Sequence, residues 1–118
     1  MKREGLDRYE ILRPLGRSTE REGGSSGQGG SLAGNFEGQA REIFRQIDLT
    51  LKRAGGSVAN LVTMTVFIND PRNGDRFVEL RRGFFPDGNY PASALITVSN
   101  FARPGMLIEI QGVAVIGG

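Results

Sequence analysis

The sequence predicts an α+β domain in which two helices cover one face of a mixed sheet. Three observations predict it. Apolar residues recur at steps of three and four from Phe36 to Ala54, the period of a helix with one buried face. Residues 61–68, LVTMTVFI, are β-rich and alternate, and two further strand-like runs occupy 93–99 and 106–116. A second, shorter helical pattern lies between the first strand and the other two. The order is helix, strand, helix, strand, strand.

Upstream, the chain is of a different kind. Gly16 to Ser31 reads GRSTEREGGSSGQGGS, with no aliphatic or aromatic residue and glycine at six of its sixteen positions. Such a segment has nothing to bury against the entropy lost on ordering it. Residues 1–34 are therefore expected to form a divergent, poorly ordered N-terminal segment, and 35–118 the folded domain. Within the first part, Tyr9, Ile11, Leu12 and Leu15 are the apolar cluster, read as a short strand.

The first helix carries Phe36, Ala40, Ile43, Phe44, Ile47, Leu51 and Ala54 on one face. Asn35 is its expected N-cap, Glu37 suits the positive end and Lys52 and Arg53 the negative end. Gly55 and Gly56 terminate it. In the strand that follows, Val62, Met64, Val66 and Ile68 face one way, and Thr63, Thr65 and Phe67 the other. Asp70 and Pro71 stop it, and Asp75 is expected to cap a second helix bearing Phe77, Leu80 and Phe84. Pro86-Asp87-Gly88 is a turn, and Arg103-Pro104-Gly105 separates the last two strands. Both faces of those strands are apolar: Leu95 opposes Ile96, while Leu107, Val113 and Val115 oppose Ile108, Ile110 and Ile116. One face packs on the helices; the other needs a second cover, which points to self-association through the sheet.

Composition narrows the chemistry. A chain of 118 residues suits one domain, and 38% hydrophobic with 24% charged residues suits a globular one. Fifteen basic against thirteen acidic residues give +2, too small a bias to argue for nucleic acid. With no cysteine and no histidine, disulfides, thiol nucleophiles, Cys/His zinc sites and Ser-His-Asp triads are excluded. Acid–base chemistry must use Asp, Glu, Lys, Tyr or an ordered water. No metal site and no cofactor is expected. No apolar run reaches the roughly 20 residues of a membrane span, and the opening MKREGLDRYEILRPLG lacks the apolar core of a signal peptide. A cytoplasmic protein is the expectation.

The candidate sites differ in weight. The glycine-rich segment lacks GxxxxGK[ST] and reads as a linker rather than a phosphate loop. Arg81 and Arg82, like Arg41 and Arg45, read as solvated helix faces, and Asp70, Asp75 and Asp87 as turn and cap residues. Glu109 stands apart, in the middle of an apolar strand. Two readings of it stand: a structural or solvent-facing carboxylate, or a partly desolvated one that shuttles a proton to water if its face builds an interface.

The string from Asn35 to Val115 resembles the RidA family, also called the YjgF or L-PSP endoribonuclease family. NFEGQAREIFRQIDLTLKRAGGSVANLVTMTVFIND resembles its first helix, glycine exit and strand; DRFVELRRGFF its second helix; YPASALITV its Pro-Ala strand; and IEIQGVAV its closing strand. The resemblance implies a chorismate-mutase-like fold and a homotrimer with its sheets at the centre and ligand clefts between subunits. It also implies hydrolysis of reactive enamine and imine metabolites released by amino-acid dehydratases, with a small molecule as partner; the +2 charge makes nucleic acid an unexpected partner, and the lack of a long apolar run makes a membrane one.

In RidA proteins proper, an arginine after Pro-Ala grips the substrate carboxylate and the glutamate of IEI positions the attacking water. Carried over, Glu109 is the catalytic residue and Ser93 stands in the arginine position. Leu95 occupies a place that is often cysteine. Ser26 and Gly27, from Ser26-Gly27-Gln28, line the cleft. Loss of a charge-assisted hydrogen bond of about 1.5–3 kcal/mol implies that 2-imino acids are poor substrates. A non-catalytic trimer that binds a small metabolite is the alternative, and an endoribonuclease the weaker one.

Overall fold

A computed structural model of the chain describes residues 6–14 and 32–117. In chain order its elements are β1 (Leu6–Pro14), α1 (Phe36–Arg53), β2 (Leu61–Ile68), α2 (Gly74–Arg81), β3 (Ala92–Thr97) and β4 (Ile108–Gly117). The strands form one mixed sheet in the order β1-β4-β2-β3, with β2 and β3 parallel and the other two pairs antiparallel. Tyr9, Ile11 and Leu12 lie in β1, which pairs with β4 along its whole length. Leu15 lies outside the described residues.

The local chemistry of α1 is what its sequence requires. Asn35 Oδ1 accepts the Gly38 N–H at 2.9 Å, Glu37 sits in the first turn, and Lys52 and Arg53 in the last. At the other end the Gly56 N–H bonds the Leu51 carbonyl and the Gly55 N–H the Lys52 carbonyl, the paired closure of a glycine-terminated helix. Gly55 has φ +92°, where a side chain would cost about 1–2 kcal/mol. The apolar stripe of α1 is buried against the sheet, and Gln39 is buried with it.

The core faces α1 and α2. Ile43, Phe44, Ile47 and Leu51 of α1 meet Met64, Val66 and Ile68 of β2 and Ile108, Ile110, Ala114 and Ile116 of β4. Phe44 is its aromatic centre: Phe84 stacks on it at 4.5 Å, Phe77 lies at 6.0 Å, and Phe85 meets it edge-on at 5.9 Å. Removing such a ring costs about 3–5 kcal/mol in lost transfer and cavity energy.

Four details depart from the sequence reading. Leu61 pairs with Ala114 while Thr63 pairs with Val113, so β2 carries one extra residue, a β-bulge. The bulge turns Leu61 (6% exposed) into the core and Val62 (45%) out of it. The expectation for Val62 assumed an unbroken alternation. Second, Asp70 rather than Asp75 does the capping: its Oδ1 accepts the Arg72 N–H at 2.9 Å above a 3₁₀ turn, Pro71–Asn73, that leads into α2. Asp75 lies in the first turn of α2 instead. Third, α2 ends at Arg81, so Phe84 reaches the core from the turn beyond the helix. Fourth, β4 begins at Ile108, and Leu107 packs against the core, its N–H taken by the Gln39 side chain rather than by a strand.

No described helix covers the second face of the sheet. Val113 and Val115 of β4 point there with Thr65 and Phe67 of β2, and β3 adds Ile96, opposite Phe67 and 42% accessible. Burial of apolar area on that scale is what drives association.

Candidate functional site

Glu109 is the second residue of β4, set between Ile108 and Ile110, which are fully buried in the core. Alternation therefore sends its side chain to the open face. Its register neighbours are Phe67 on β2 and Pro14 on β1. Thr65, Gln111 and Val113 continue that face on β2 and β4, and β1 sets Leu12 opposite Gln111 and Glu10 opposite Val113, so the half-buried carboxylate has uncharged nearest register neighbours. Among residues 32–117 it has no ion pair and no side-chain hydrogen bond.

The start of β4 is fixed from below. Gln39 is 0% exposed, and its Nε2 donates to the carbonyls of Leu32 (2.8 Å) and Gly105 (2.7 Å) while its Oε1 accepts the Leu107 N–H (2.8 Å). One buried amide thus binds the approach to α1 to the bend before β4, two residues from Glu109. Asn69 Nδ2 holds the same bend at the Met106 carbonyl.

Ser93 lies on β3, opposite Met64, and Leu95 lies opposite Val66. Met64 and Val66 are core residues, so Ser93 and Leu95 sit on the helix side of the sheet and Glu109 on the other. One chain does not bring Ser93 and Glu109 to a common ligand. Ser26 and Gly27 lie outside the described residues.

The surroundings of Ser93 hold a group that sequence reasoning placed in solvent. Arg81 Nη1 donates to Ser93 Oγ at 3.3 Å, and Ser93 Oγ donates to the Pro91 carbonyl at 3.1 Å. The Arg81 guanidinium lies 4.4 Å from the centroid of the Tyr90 ring. Tyr90 leans edge-on against Phe85, which leans on Phe44, so the guanidinium rests on an aromatic column rising from the core. Arg82 is exposed, as expected; Arg81 is half-buried, which corrects the reading of that doublet. Its spacing from Phe77, one helical turn, was the available signal.

Elsewhere several charges pair with one another. Glu37 pairs with Arg41 and Arg76, which hold its carboxyl below the usual carboxylate range, and Arg45 does the same for Glu42. An open hollow of about 250 Å³ lies beside the first pair, lined by Gly34, Asn35, Phe36, Glu37, Asn73 and Arg76, and includes none of the candidate residues. Among the described residues no three acidic side chains converge as a metal would require. No described helix is long and apolar enough to cross a membrane.

Comparison with known proteins agrees with this architecture. A profile of the family described as Endoribonuclease L-PSP matches residues 22–116. A RutC family protein of Synechocystis sp. is 29% identical over 83 residues, 70% of this chain and 63% of that protein. The chain thus spans under two thirds of that relative's length. Among solved structures, a Pseudomonas aeruginosa protein of unknown function shares 28% identity at a TM-score of 0.73, covering 91% of this chain and 75% of its own. The Rid family protein YyfA of Yersinia pestis shares 28% identity at a TM-score of 0.65, covering 72% and 65%. The mixed sheet with two helices is the fold of these structures, one of them a Rid family protein, and the chain belongs to the endoribonuclease L-PSP family.

Proposed function

We propose that the protein is a RidA-like deaminase, a hydrolase of reactive enamine and imine metabolites in the cytoplasm, with Glu109 as the residue that positions water. The observation that carries this reading is the placement of Glu109: a half-buried carboxylate, without a partner among residues 32–117, flanked on its sheet face by Phe67 of β2 and Pro14 of β1. Imine hydrolysis needs little more. Water adds to the C=N carbon as a carboxylate takes up one of its protons, and the carbinolamine collapses to a carbonyl and ammonia. The product is a ketone or oxo acid, and no redox partner enters.

The uncovered apolar face supports a homotrimer with its sheets at the centre. Ser93 and Glu109 lie on opposite faces, so a cleft that uses both takes them from neighbouring copies. A second reading, a non-catalytic trimer that binds a small metabolite, draws on Ser93: a hydroxyl that already donates to the Pro91 carbonyl replaces a cationic clamp. The endoribonuclease reading has least support, given a net charge of +2.

The test is to couple the purified protein to a dehydratase that releases 2-iminobutanoate and follow decay of the imine. Decay faster than in buffer and saturating with imine concentration, at a low rate because Ser93 stands where the clamp arginine would, is the expected result. Decay at the buffer rate, with ligand-induced stabilisation only, would favour the binding module.

A further inference from the structure

We infer that Arg81, supplied by α2, is the anion-holding residue of the cleft at Ser93 and that the ligand it holds is a small carboxylate. The inference deepens the reading above, on which the choice of a carboxylate-bearing imine rests.

The argument begins with how this cation is kept. Arg41, Arg45, Lys52, Arg72 and Arg76 are exposed, and each touches a carboxylate. Arg81 is the half-buried arginine among the described residues, and it touches none. Its contacts are neutral: the Ser93 hydroxyl at 3.3 Å and the face of Tyr90 at 4.4 Å. Its Nε is cut off from solvent and has no acceptor. A buried donor without a partner costs stability, and a partly desolvated guanidinium without a counter-ion more so. The fold nonetheless holds it in place, with the aromatic column beneath it and Ser93 beside it.

This arrangement suits an anion from outside. Because Ser93 Oγ donates its own proton to the Pro91 carbonyl, it meets Arg81 as an acceptor and leaves the other Nη hydrogens free. Those hydrogens form a fork that a carboxylate matches with two parallel hydrogen bonds. Ser93 and Tyr90 are both exposed, so the fork is reached from solvent. A guanidinium at the wall of the cleft thus offsets the absence of one on β3, and 2-imino acids return as the substrate class.

The experiment measures binding and so stands apart from turnover. The full-length protein is titrated with 2-oxobutanoate, the stable product of 2-iminobutanoate hydrolysis, by calorimetry or NMR. The same titration is made with Arg81→Gln, Arg81→Lys and the exposed control Arg82→Gln, each checked for its melting temperature. Arg81→Gln is expected to weaken binding about 10- to 100-fold, the range of a charge-assisted pair. Arg81→Lys retains part of the affinity, and Arg82→Gln retains most of it. The neutral probe 2-butanone binds without regard to residue 81. Equal affinity in wild type and Arg81→Gln overturns the assignment, as does absence of 2-oxobutanoate binding to wild type. If Arg81→Gln does not fold, Arg81→Lys decides: unchanged affinity overturns the assignment and a clear loss supports it. Arg81-dependent binding without imine turnover leaves the clamp standing and removes the deaminase.

Discussion

Gln39 Oε1 accepts the Leu107 N–H at 2.8 Å, a contact that joins residues 68 positions apart in sequence. It is the tie that sets where β4 begins and therefore where Glu109 projects. The carbonyls that Gln39 also binds each have a second donor: Asn35 N–H for Leu32 and Gly34 N–H for Gly105. The Leu107 N–H has no such reserve. Gln39→Leu keeps the volume and orphans that donor, so it is expected to destabilise by about 1–3 kcal/mol, read as a lower urea midpoint at unchanged m-value. Unchanged stability would mean that the bend is held by other means.

The open face makes a prediction about mass. Val113 stands in the middle of it, opposite Thr63 on β2. The wild type is expected to sediment as a particle of three 12.8 kDa chains, and Val113→Arg, which puts a long charged side chain into that contact, as a monomer with its melting cooperativity preserved. A wild-type monomer at micromolar concentration would remove the intersubunit cleft.

Acid titration should pick out Asp70. The Arg72 guanidinium and then the Arg72 N–H bond its carboxylate and lower its pKa from 3.8 to about 2. A carboxyl depressed on folding adds stability above its unfolded pKa and loses it as pH falls through the folded one, so the window lies between about 4 and 2. The group is exposed and the effect is screened, so the measurement is the carboxyl carbon shift of Asp70 by NMR. Arg72→Ala should raise that midpoint toward 3.8.

Much of the fold was legible because helix and strand periods are local. The α1 stripe, its Asn35 cap and its glycine exit follow from spacing alone, and Glu109 was visible as the polar residue in an alternating strand. The β2 bulge was not, since it depends on how Leu61 and Thr63 meet Ala114 and Val113 some fifty residues later. Gln39 could have been found: it falls three residues after Phe36 and four before Ile43, on the apolar face itself. The side of the sheet that Ser93 occupies relative to Glu109 is set by registers across β2, which no local pattern encodes. Arg81 was read as solvent-facing because neither Tyr90 nor Ser93 lies within its own helix.

The most direct test of the central claim is the rate of 2-iminobutanoate decay with wild type and with Glu109→Gln at equal concentration. The substitution keeps shape and hydrogen bonding while removing the proton acceptor. A loss of about 100-fold or more in the protein-catalysed rate, at unchanged mass and melting temperature, is the predicted result. Equal rates in the two proteins would contradict the role given to Glu109.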